Sequence, residues 1–302
     1  MLHHDVCAVV VTYNPDAGFL ERLACLVPQV EAVAIVDNTP DSSVDSVFEK
    51  ALEYPTVSVR RNGKNVGLAS ALNQGIEVVM AHRPRWVLTL DQDTKPGAHM
   101  VDALLVPFRH GGTTVGIVGT NIASEGRRSS PLCRAEGYSW APRTSVITSG
   151  SLISSDALTS LGPLCSFYFI DHIDTEYCLR AKRNGFQVLA IQEPVVKHAI
   201  GAPTRHSICG RATATSNHSA LRRYYISRNL MITIRRHSSV DPWWACRSIL
   251  AWLKGQVLVL CFESDKRAKL LASARGSWHG LRYSSSDCNA SAPNDQQCWS
   301  RQ

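Results

Sequence analysis

Four clusters of side chains stand out by type and spacing. Asp91-Gln92-Asp93 sets two carboxylates one residue apart, directly after the apolar run WVLTL. As a string it carries little, because 15 Asp in 302 residues yield about 0.75 such pairs by chance. Its position carries the weight. Two carboxylates emerging together from a buried strand repel each other unless a cation lies between them. A hard divalent ion that shares oxygen ligands with substrate phosphates meets that need. The second cluster, Phe169-Ile170-Asp171-His172-Ile173-Asp174-Thr175-Glu176, gathers four ionisable groups within six residues. A helix starting near Ile173 puts Asp174 in its first turn, where the dipole favours a carboxylate. Facing a crevice, such a group can act as a general base. Glu176 and Arg180 make an i,i+4 pair that reads as structural, and His172 reads as a helix-entry residue.

The third cluster, Asn62-Gly63-Lys64-Asn65-Val66-Gly67-Leu68-Ala69 followed by Asn73, is a Gly- and Asn-rich loop that opens a helix near Leu68. Free N–H groups at a helix start and close backbone approach at glycine suit an anion. The loop is neither G-x-x-x-x-G-K-[ST] nor G-x-G-x-x-G. The fourth, Leu221-Arg222-Arg223-Tyr224-Tyr225-Ile226-Ser227-Arg228-Asn229, joins Arg to Tyr in a manner that fits a diphosphate or a headgroup, or else a solvated basic helix face. No RNP-like, KH or zinc-knuckle pattern accompanies it, so no nucleic-acid partner is expected. His198 follows a strand-like run from which it could reach a metal.

These clusters need elements to position them. VCAVVVT (6–12), AVAIVD (32–37), VSVR (57–60), WVLTLD (86–91) and VGIVGT (115–120) read as strands buried on both faces. Helical segments at about 16–27, 68–81 and 98–109 alternate with them, which predicts an α/β fold with a mostly parallel sheet. In such sheets ligands collect at the C-terminal strand ends, where Thr12-Tyr13-Asn14, Asp37-Asn38 and Asp91-Gln92-Asp93 fall. Further on, SVITSGSLIS reads as strand and turn, SDALTSLG as a short helix capped by Ser155 or Asp156, IDTEYCLRAKRNG as a helix closed by Gly185, and FQVLAIQ (186–192) as a strand. Residues 219–237 and 243–275 read as helical. Within them 243–262 is strongly apolar but carries Arg247 and Lys254, which fits an interfacial helix with snorkelling cations or a helix packed on the main domain.

Apolar residues make up 44% and charged residues 19% of the chain, which excludes a disordered polypeptide. The net charge of +7 hides an asymmetry. Residues 1–201 hold 17 Lys/Arg against 20 Asp/Glu, whereas 202–283 hold 14 against 3. A basic C-terminal third points to an anionic partner. The expected division is therefore a domain over 1–201, a basic helical extension over 202–283 and a disordered tail over 284–302. No run of about 18 uncharged apolar residues predicts a conventional membrane span, and MLHHDVCAVVVTY lacks the pattern of a secretory signal. The ten Cys show neither C-x-x-C nor zinc spacing, so free thiols in a reducing, cytoplasmic compartment are expected.

Together these motifs resemble the inverting family-2 glycosyltransferases, whose fold is GT-A, from about residue 6 to 237. The resemblance rests on Val-Thr-Tyr-Asn-Pro at the first strand end, Val-Asp-Asn at the second, Lys-Asn-Val-Gly-Leu-Ala with Asn73, and Leu-Asp-Gln-Asp. Registered on Arg180, the catalytic aspartate of the family falls on Asp174, while its preceding glutamate falls on Ile173 and its later aspartate on Glu176. The version here, with Leu-Asp-Gln-Asp-Thr-Lys-Pro-Gly and Arg-Arg-Tyr-Tyr-x-x-Arg-Asn, is similar to the rhamnosyltransferase branch, and within it to enzymes that add a second rhamnose to a mono-rhamnolipid. The resemblance implies a dTDP-L-rhamnose donor held by Thr12, Tyr13, Asn14, Asp37, Asn38, Asn65, Gly67 and Asp91. It implies a Mg²⁺ or Mn²⁺ held by Asp91 and Asp93, with His198 as a candidate third ligand, and Asp174 as the base. Ser149, Gly150, Asp171, His172, Arg223, Tyr224 and Arg228 would border the acceptor or the diphosphate. An amphiphilic glycolipid acceptor would bring the basic third to an anionic membrane surface, the cytoplasmic face of a bacterial inner membrane. A rhamnosyltransferase of O-antigen or other surface polysaccharide shares the same motifs, and a non-catalytic nucleotide-sugar-binding protein would dispense with the carboxylates.

Overall fold

The structure is a computed structural model that describes residues 3–120, 133–198, 204–208 and 211–283. The proposed tail at 284–302 and the domain boundary at 201 lie outside the described residues. The chain divides into an α/β unit, residues up to 166 together with 173–199, and a C-terminal helical unit that also takes in 167–172.

The α/β unit is built on a nine-stranded sheet. Its strands are β1 (His3–Thr12), β2 (Val30–Asp37), β3 (Val57–Arg61), β4 (Trp86–Asp91), β6 (Val115–Gly119), β7 (Cys133–Ala135), β8 (Tyr138–Pro142), β9 (Ser151–Ser154) and β10 (Gln187–Ile191), in the order β3-β2-β1-β4-β9-β6-β10-β8-β7. A separate short strand, β5 (Thr94–Pro96), pairs antiparallel with β11 (Val196–His198). The helices of this unit are α1 (Phe19–Leu26), α2 (Asp45–Ala51), α3 (Leu68–Met80), α4 (Met100–His110), α5 (Ser155–Leu161) and α6 (Ile173–Arg183). The core gathers Val6, Ala8, Val10, Val33, Ile35, Leu88 and Leu90 from the central strands with Phe19, Met100 and Leu104 from the helices. Val- and Ile-rich runs buried on both faces produce these central strands, as expected for parallel β-structure.

The sheet is GT-A-like and mixed, with antiparallel members added to a set of parallel strands. β1–β2, β1–β4, β2–β3 and β6–β10 are parallel. β9 lies antiparallel between β4 and β6, and β7 and β8 form an antiparallel edge on β10. The run 145–154 concealed this: its ordered strand is only Ser151–Ser154, and strand direction is set by the neighbours rather than by local pattern. α5 is capped by Ser154, whose hydroxyl accepts from Ala157 N, and not by Ser155 or Asp156. Cys7 and Cys178 are buried free thiols, and burial pushes them up to about 11 and about 12, as for inert core fillers. Cys165 is disulfide-bonded, so the expectation of free thiols throughout fails there.

The helical unit contains the hairpin strands β12 (Thr204–Ile208) and β13 (Arg211–Thr215), then α7 (Ala220–His237), α8 (Pro242–Phe262) and α9 (Lys266–Arg282). The stretch 243–275, expected to be helical, falls in two helices. Glu263 leaves the helix with an extended backbone, and Asp265 has φ 51°, a left-handed conformation that ends the run. α7 and α9 pack so closely that an added Cβ at Gly276 or Gly280 would lie 2.3 or 2.4 Å from the Tyr224 or Arg228 carbonyl oxygen.

Candidate functional site

Strand direction assembles the site. β1, β2, β3, β4, β6 and β10 point the same way, so their C-terminal ends share one edge of the sheet, and the N-terminal end of β9 joins them. α6 packs on β6 and β10 and turns into β10 through Asn184–Phe186 alone. A connection that short forces the helix antiparallel to the strand. The N-terminus of α6, with Asp174 in its first turn, therefore lies at the edge where β4 delivers Asp91.

At this edge side chains knit the strand ends together. The Thr12 and Thr39 hydroxyls both donate to Asp37 Oδ1 at 2.8 Å, and Arg61 Nε donates to Oδ2 at 3.3 Å. Asp37 is fully buried, so its charge is satisfied inside the protein and forms the floor of the edge. Asn38, also buried, receives a hydrogen bond from Asn62 Nδ2 at 3.0 Å and points its own amide at Asn65 Oδ1 and the Gly67 carbonyl, both at 3.4 Å. Asn65 Oδ1 accepts from Gly67 N at 3.0 Å, which holds the loop that leads into α3. Asn73 clamps the same helix to Leu164 by a reciprocal pair of 2.8 and 2.9 Å. Tyr13 is 46% exposed at the rim, and Asn14 has φ 49° with its N–H bound to Thr39 Oγ1.

The Asp91-Gln92-Asp93 turn is positioned from both sides. Asp91 N donates to Ser149 Oγ at 3.0 Å, and Ser149 Oγ also meets Thr94 Oγ1 at 2.5 Å. Gly150 has φ 79°, and a Cβ there would lie 2.8 Å from Thr120; its N–H donates to Thr89 O at 2.8 Å. Sequence reading missed Gln92 as a contributor. Its amide grips the Tyr13 backbone twice, accepting from N at 2.7 Å and donating to O at 3.1 Å, while its own carbonyl accepts from Arg22 Nε at 2.7 Å. Only its place between two aspartates could have drawn attention to it. His198, of which only the backbone is described, pairs opposite Thr94.

Asp91 and Asp93 are partly buried carboxylates one residue apart. Among the described residues no three His, Cys, Asp or Glu side chains converge on one point. Two hard oxygen donors with the remaining positions left to water and diphosphate oxygens fit Mg²⁺ or Mn²⁺. Asp174 is partly exposed, and its Oδ1 accepts from Thr175 N at 2.7 Å and Thr175 Oγ1 at 3.3 Å. Glu176, by contrast, is buried on Arg180 at 2.8 Å, and Arg180 Nη1 reaches the Leu161 and Pro163 carbonyls.

Five of the residues expected at the acceptor or diphosphate side fall in the helical unit. Asp171 and His172 are consecutive left-handed residues, φ 64° and 62°, and the chain reaches Asp174 two residues later. The Asp171 carboxylate takes two hydrogen bonds from Arg222, each 3.1 Å. Burial holds the His172 imidazole below its ordinary range, against the opposing charge of Asp171. An open anion-binding face of Arg223, Tyr224 and Arg228 is not what the unit contains, and that expectation is corrected. Arg223 donates to buried Glu263 at 2.6 Å. The Tyr224 hydroxyl meets His279 Nδ1 at 2.8 Å. Arg228 is 1% exposed, donates to Phe167 O at 2.6 Å and Asn229 Oδ1 at 3.0 Å, and lies over the rings of Phe167 and Tyr225. Asn229 in turn holds the Ile170 and Asp171 carbonyls at 2.7 and 3.0 Å. The Arg-Tyr motif thus fastens the left-handed turn at 167–172.

A mixed GT-A sheet with carboxylates at its C-terminal edge defines a class, and comparison with known proteins agrees: residues 7–151 match Glycosyl transferase family 2, and the protein is a glycosyltransferase. The chain is 26% identical over 306 residues to the dTDP-rhamnosyl transferase RfbF of Shigella flexneri, covering 93% of this chain and 99% of that protein. Its fold is similar to that of S. aureus TarS, with TM-score 0.58 and 12% identity over 92% of this chain; the chain spans about half (49%) of that protein. The TarS 1–349 fragment in complex with UDP-GlcNAc aligns with TM-score 0.56 and 13% identity, over 89% of this chain and 79% of the fragment. GalNAc-T7, solved with UDP, GalNAc and Mn²⁺, aligns with TM-score 0.56 and 11% identity, over 89% of this chain and 54% of that one.

Proposed function

We propose that this protein transfers L-rhamnose from dTDP-L-rhamnose, with inversion, to a rhamnose-bearing lipid acceptor, converting a mono-rhamnolipid into a di-rhamnolipid. The observation that carries the reading is strand direction, which brings the end of β4, with Asp91 and Asp93 after it, and the first turn of α6, with Asp174, to the same edge of the sheet. The likeness to RfbF along nearly the whole chain supports the donor. Thr12, Tyr13, Asn14, Asn38, Asn65 and Gly67 line the nucleotide side, and buried Asp37 holds that floor in place. Asp91 and Asp93 would hold Mg²⁺ or Mn²⁺, whose charge would orient the diphosphate and offset the charge it gains on leaving. Asp174 accepts the proton of the acceptor hydroxyl as its oxygen bonds to the anomeric carbon. The bond from that carbon to the diphosphate breaks on the opposite face, so a β-linked donor gives an α-rhamnoside without a covalent enzyme intermediate. The transition state has oxocarbenium character, as in glycoside hydrolysis. Ser149 and Gly150 border the acceptor side, and Asp171 and His172 shape the turn that leads into Asp174. The basic C-terminal region brings the enzyme to the cytoplasmic face of the inner membrane, where the lipid acceptor resides.

The likeness to RfbF favours the donor without selecting the acceptor, so a second reading keeps dTDP-L-rhamnose and replaces the lipid with an intermediate of O-antigen or other surface polysaccharide. The test is an assay of purified protein with dTDP-L-rhamnose and Mg²⁺ or Mn²⁺, offered either a mono-rhamnolipid or an undecaprenyl-diphosphate sugar, with the linkage read by NMR. Turnover of the mono-rhamnolipid, abolished by EDTA and restored by metal, is expected. Turnover of the polyprenyl acceptor alone establishes the second reading, and transfer only from a different nucleotide sugar rejects both.

A further inference from the structure

α8 is 21 residues long and its most apolar 18-residue window has mean hydropathy 1.4, long and apolar enough to cross a membrane, yet only 11% of that window is buried. The helix has two faces. Ala245, Trp252 and Val259 recur at intervals of seven; Ala245 and Val259 are buried, and Trp252 Nε1 donates to Ser227 Oγ of α7 at 2.9 Å. Both ends are fastened within the same unit. The Asp241 carboxylate caps Trp244 N at 2.9 Å, and just beyond the C-terminus Glu263 binds Arg223 at 2.6 Å and Lys269 at 3.1 Å. The other face recurs with the same period and is open: Trp243, Leu250 and Val257 are 71%, 65% and 58% exposed, with Leu253 and Leu260 beside them at 48% and 56%. From Trp243 to Leu260 this stripe runs about 26 Å at 1.5 Å per residue. At about 100° per residue, exposed Arg247 and Lys254 fall about 40–60° to one side of Leu250, a basic margin along the stripe.

A soluble monomer rarely leaves so long an apolar stripe uncovered, and charge selects what covers it. Residues 202–283 carry 14 Lys/Arg against 3 Asp/Glu. A second copy of this chain would bring the same cations against Arg247 and Lys254. An anionic lipid surface offers apolar depth to the stripe and phosphate to its margin. Length alone permits a span. However, spanning would strip Trp252 from Ser227 and drag the Glu263 ion pairs toward hydrocarbon, where ionised groups are costly.

We infer that α8 lies in the plane of an anionic bilayer, its Trp243–Leu260 stripe sunk at the headgroup–acyl boundary and Arg247 and Lys254 on the lipid phosphates. This deepens the lipid-acceptor reading. Its test needs neither donor nor acceptor, so the two fail separately. The full chain is sedimented with vesicles of phosphatidylcholine alone and of phosphatidylcholine mixed with phosphatidylglycerol. Wild type is expected to bind the mixed vesicles, less so in high salt. Leu250→Gln with Val257→Gln should weaken binding to them on the order of 100-fold. Arg247→Gln with Lys254→Gln should weaken it about 20-fold and leave binding to neutral vesicles unchanged. All three proteins should bind dTDP equally, since the substituted side chains are exposed and remote in sequence from the strand-edge residues. From cell membranes, alkaline carbonate should release the chain. Wild type left in solution with anionic vesicles overturns the inference, as does an apolar double variant that binds like wild type, or a chain that stays with carbonate-washed membranes. A dimer in the ultracentrifuge, broken by the same apolar pair and indifferent to lipid, would assign the stripe to a second copy instead.

Discussion

The two units use charged side chains in opposite ways. In the helical unit Glu263 is 4% exposed and bound by Arg223 and Lys269, whose Nζ also reaches Asn217 Oδ1 at 2.6 Å, while Arg228 is walled in by rings and carbonyls. At the sheet edge Asp91, Asp93 and Asp174 are partly exposed, and serine, threonine and backbone groups help to position Asp91 and Asp174. The lesson is that a charge sealed against an opposite charge inside the fold serves cohesion, whereas one that reaches the surface of a strand edge can serve a ligand. Asp37 shows that the rule follows environment rather than unit: it sits at the sheet edge but is consumed by Thr12, Thr39 and Arg61.

The sharpest break in the comparison is Asp174→Asn. It should leave dTDP affinity intact in calorimetry and cut kcat by about 10³-fold, within the range for loss of a general base. Turnover within tenfold of wild type would move the base elsewhere. In the other unit, Glu263→Gln should cost about 3–5 kcal/mol of stability, because two cations lose their partner inside the fold. Urea unfolding measures it, and an unchanged midpoint would sink the cohesive role. The same group makes stability fall in acid. Burial raises the Glu263 carboxyl, but Lys269 and Arg223 outweigh burial and hold it below its ordinary 4.5. Its contribution is therefore complete above that value and is lost as pH drops through the folded-state value. Thermal unfolding of wild type and Glu263→Gln should converge below pH 4.5.

Two smaller effects sharpen the contrast. Gly276→Ala drives a methyl group toward the Tyr224 carbonyl at 2.3 Å and should destabilise the protein by about 1–3 kcal/mol, read as a lower melting temperature with donor affinity unchanged. Gln92→Ala removes the grip on the Tyr13 backbone and should raise KM for the donor about 10-fold with kcat little changed, the cost of two hydrogen bonds at a partly exposed site. A matched fall in kcat would show that Gln92 acts on the chemical step rather than on the rim.

Much of the strand-edge site was legible because its residues sit at ends of buried, β-branched runs, and such runs declare both their location and their exit. Thr12, Asp37 and Asp91 each close one. Gln92 was illegible because its role is a contact across 79 residues that no local pattern encodes. The Arg-Tyr motif misled for the converse reason. Its composition fits an anion, but composition cannot say which face of α7 is covered, and packing of α9 through Gly276 and Gly280 buried it.

The amino-acid order determined the βα alternation, the placement of acidic groups where strands end, the first-turn location of Asp174 and the basic imbalance of the C-terminal third. Those features depend on periodicity, capping and charge, which act over a few residues. Tertiary structure alone decided that β9 would run against its neighbours, that Asp37 would be sealed while Asp91 stayed accessible, and that one stripe of α8 would be covered and the other left bare. Such outcomes depend on which distant segments share a surface, and burial, unlike propensity, is a property of the assembled chain.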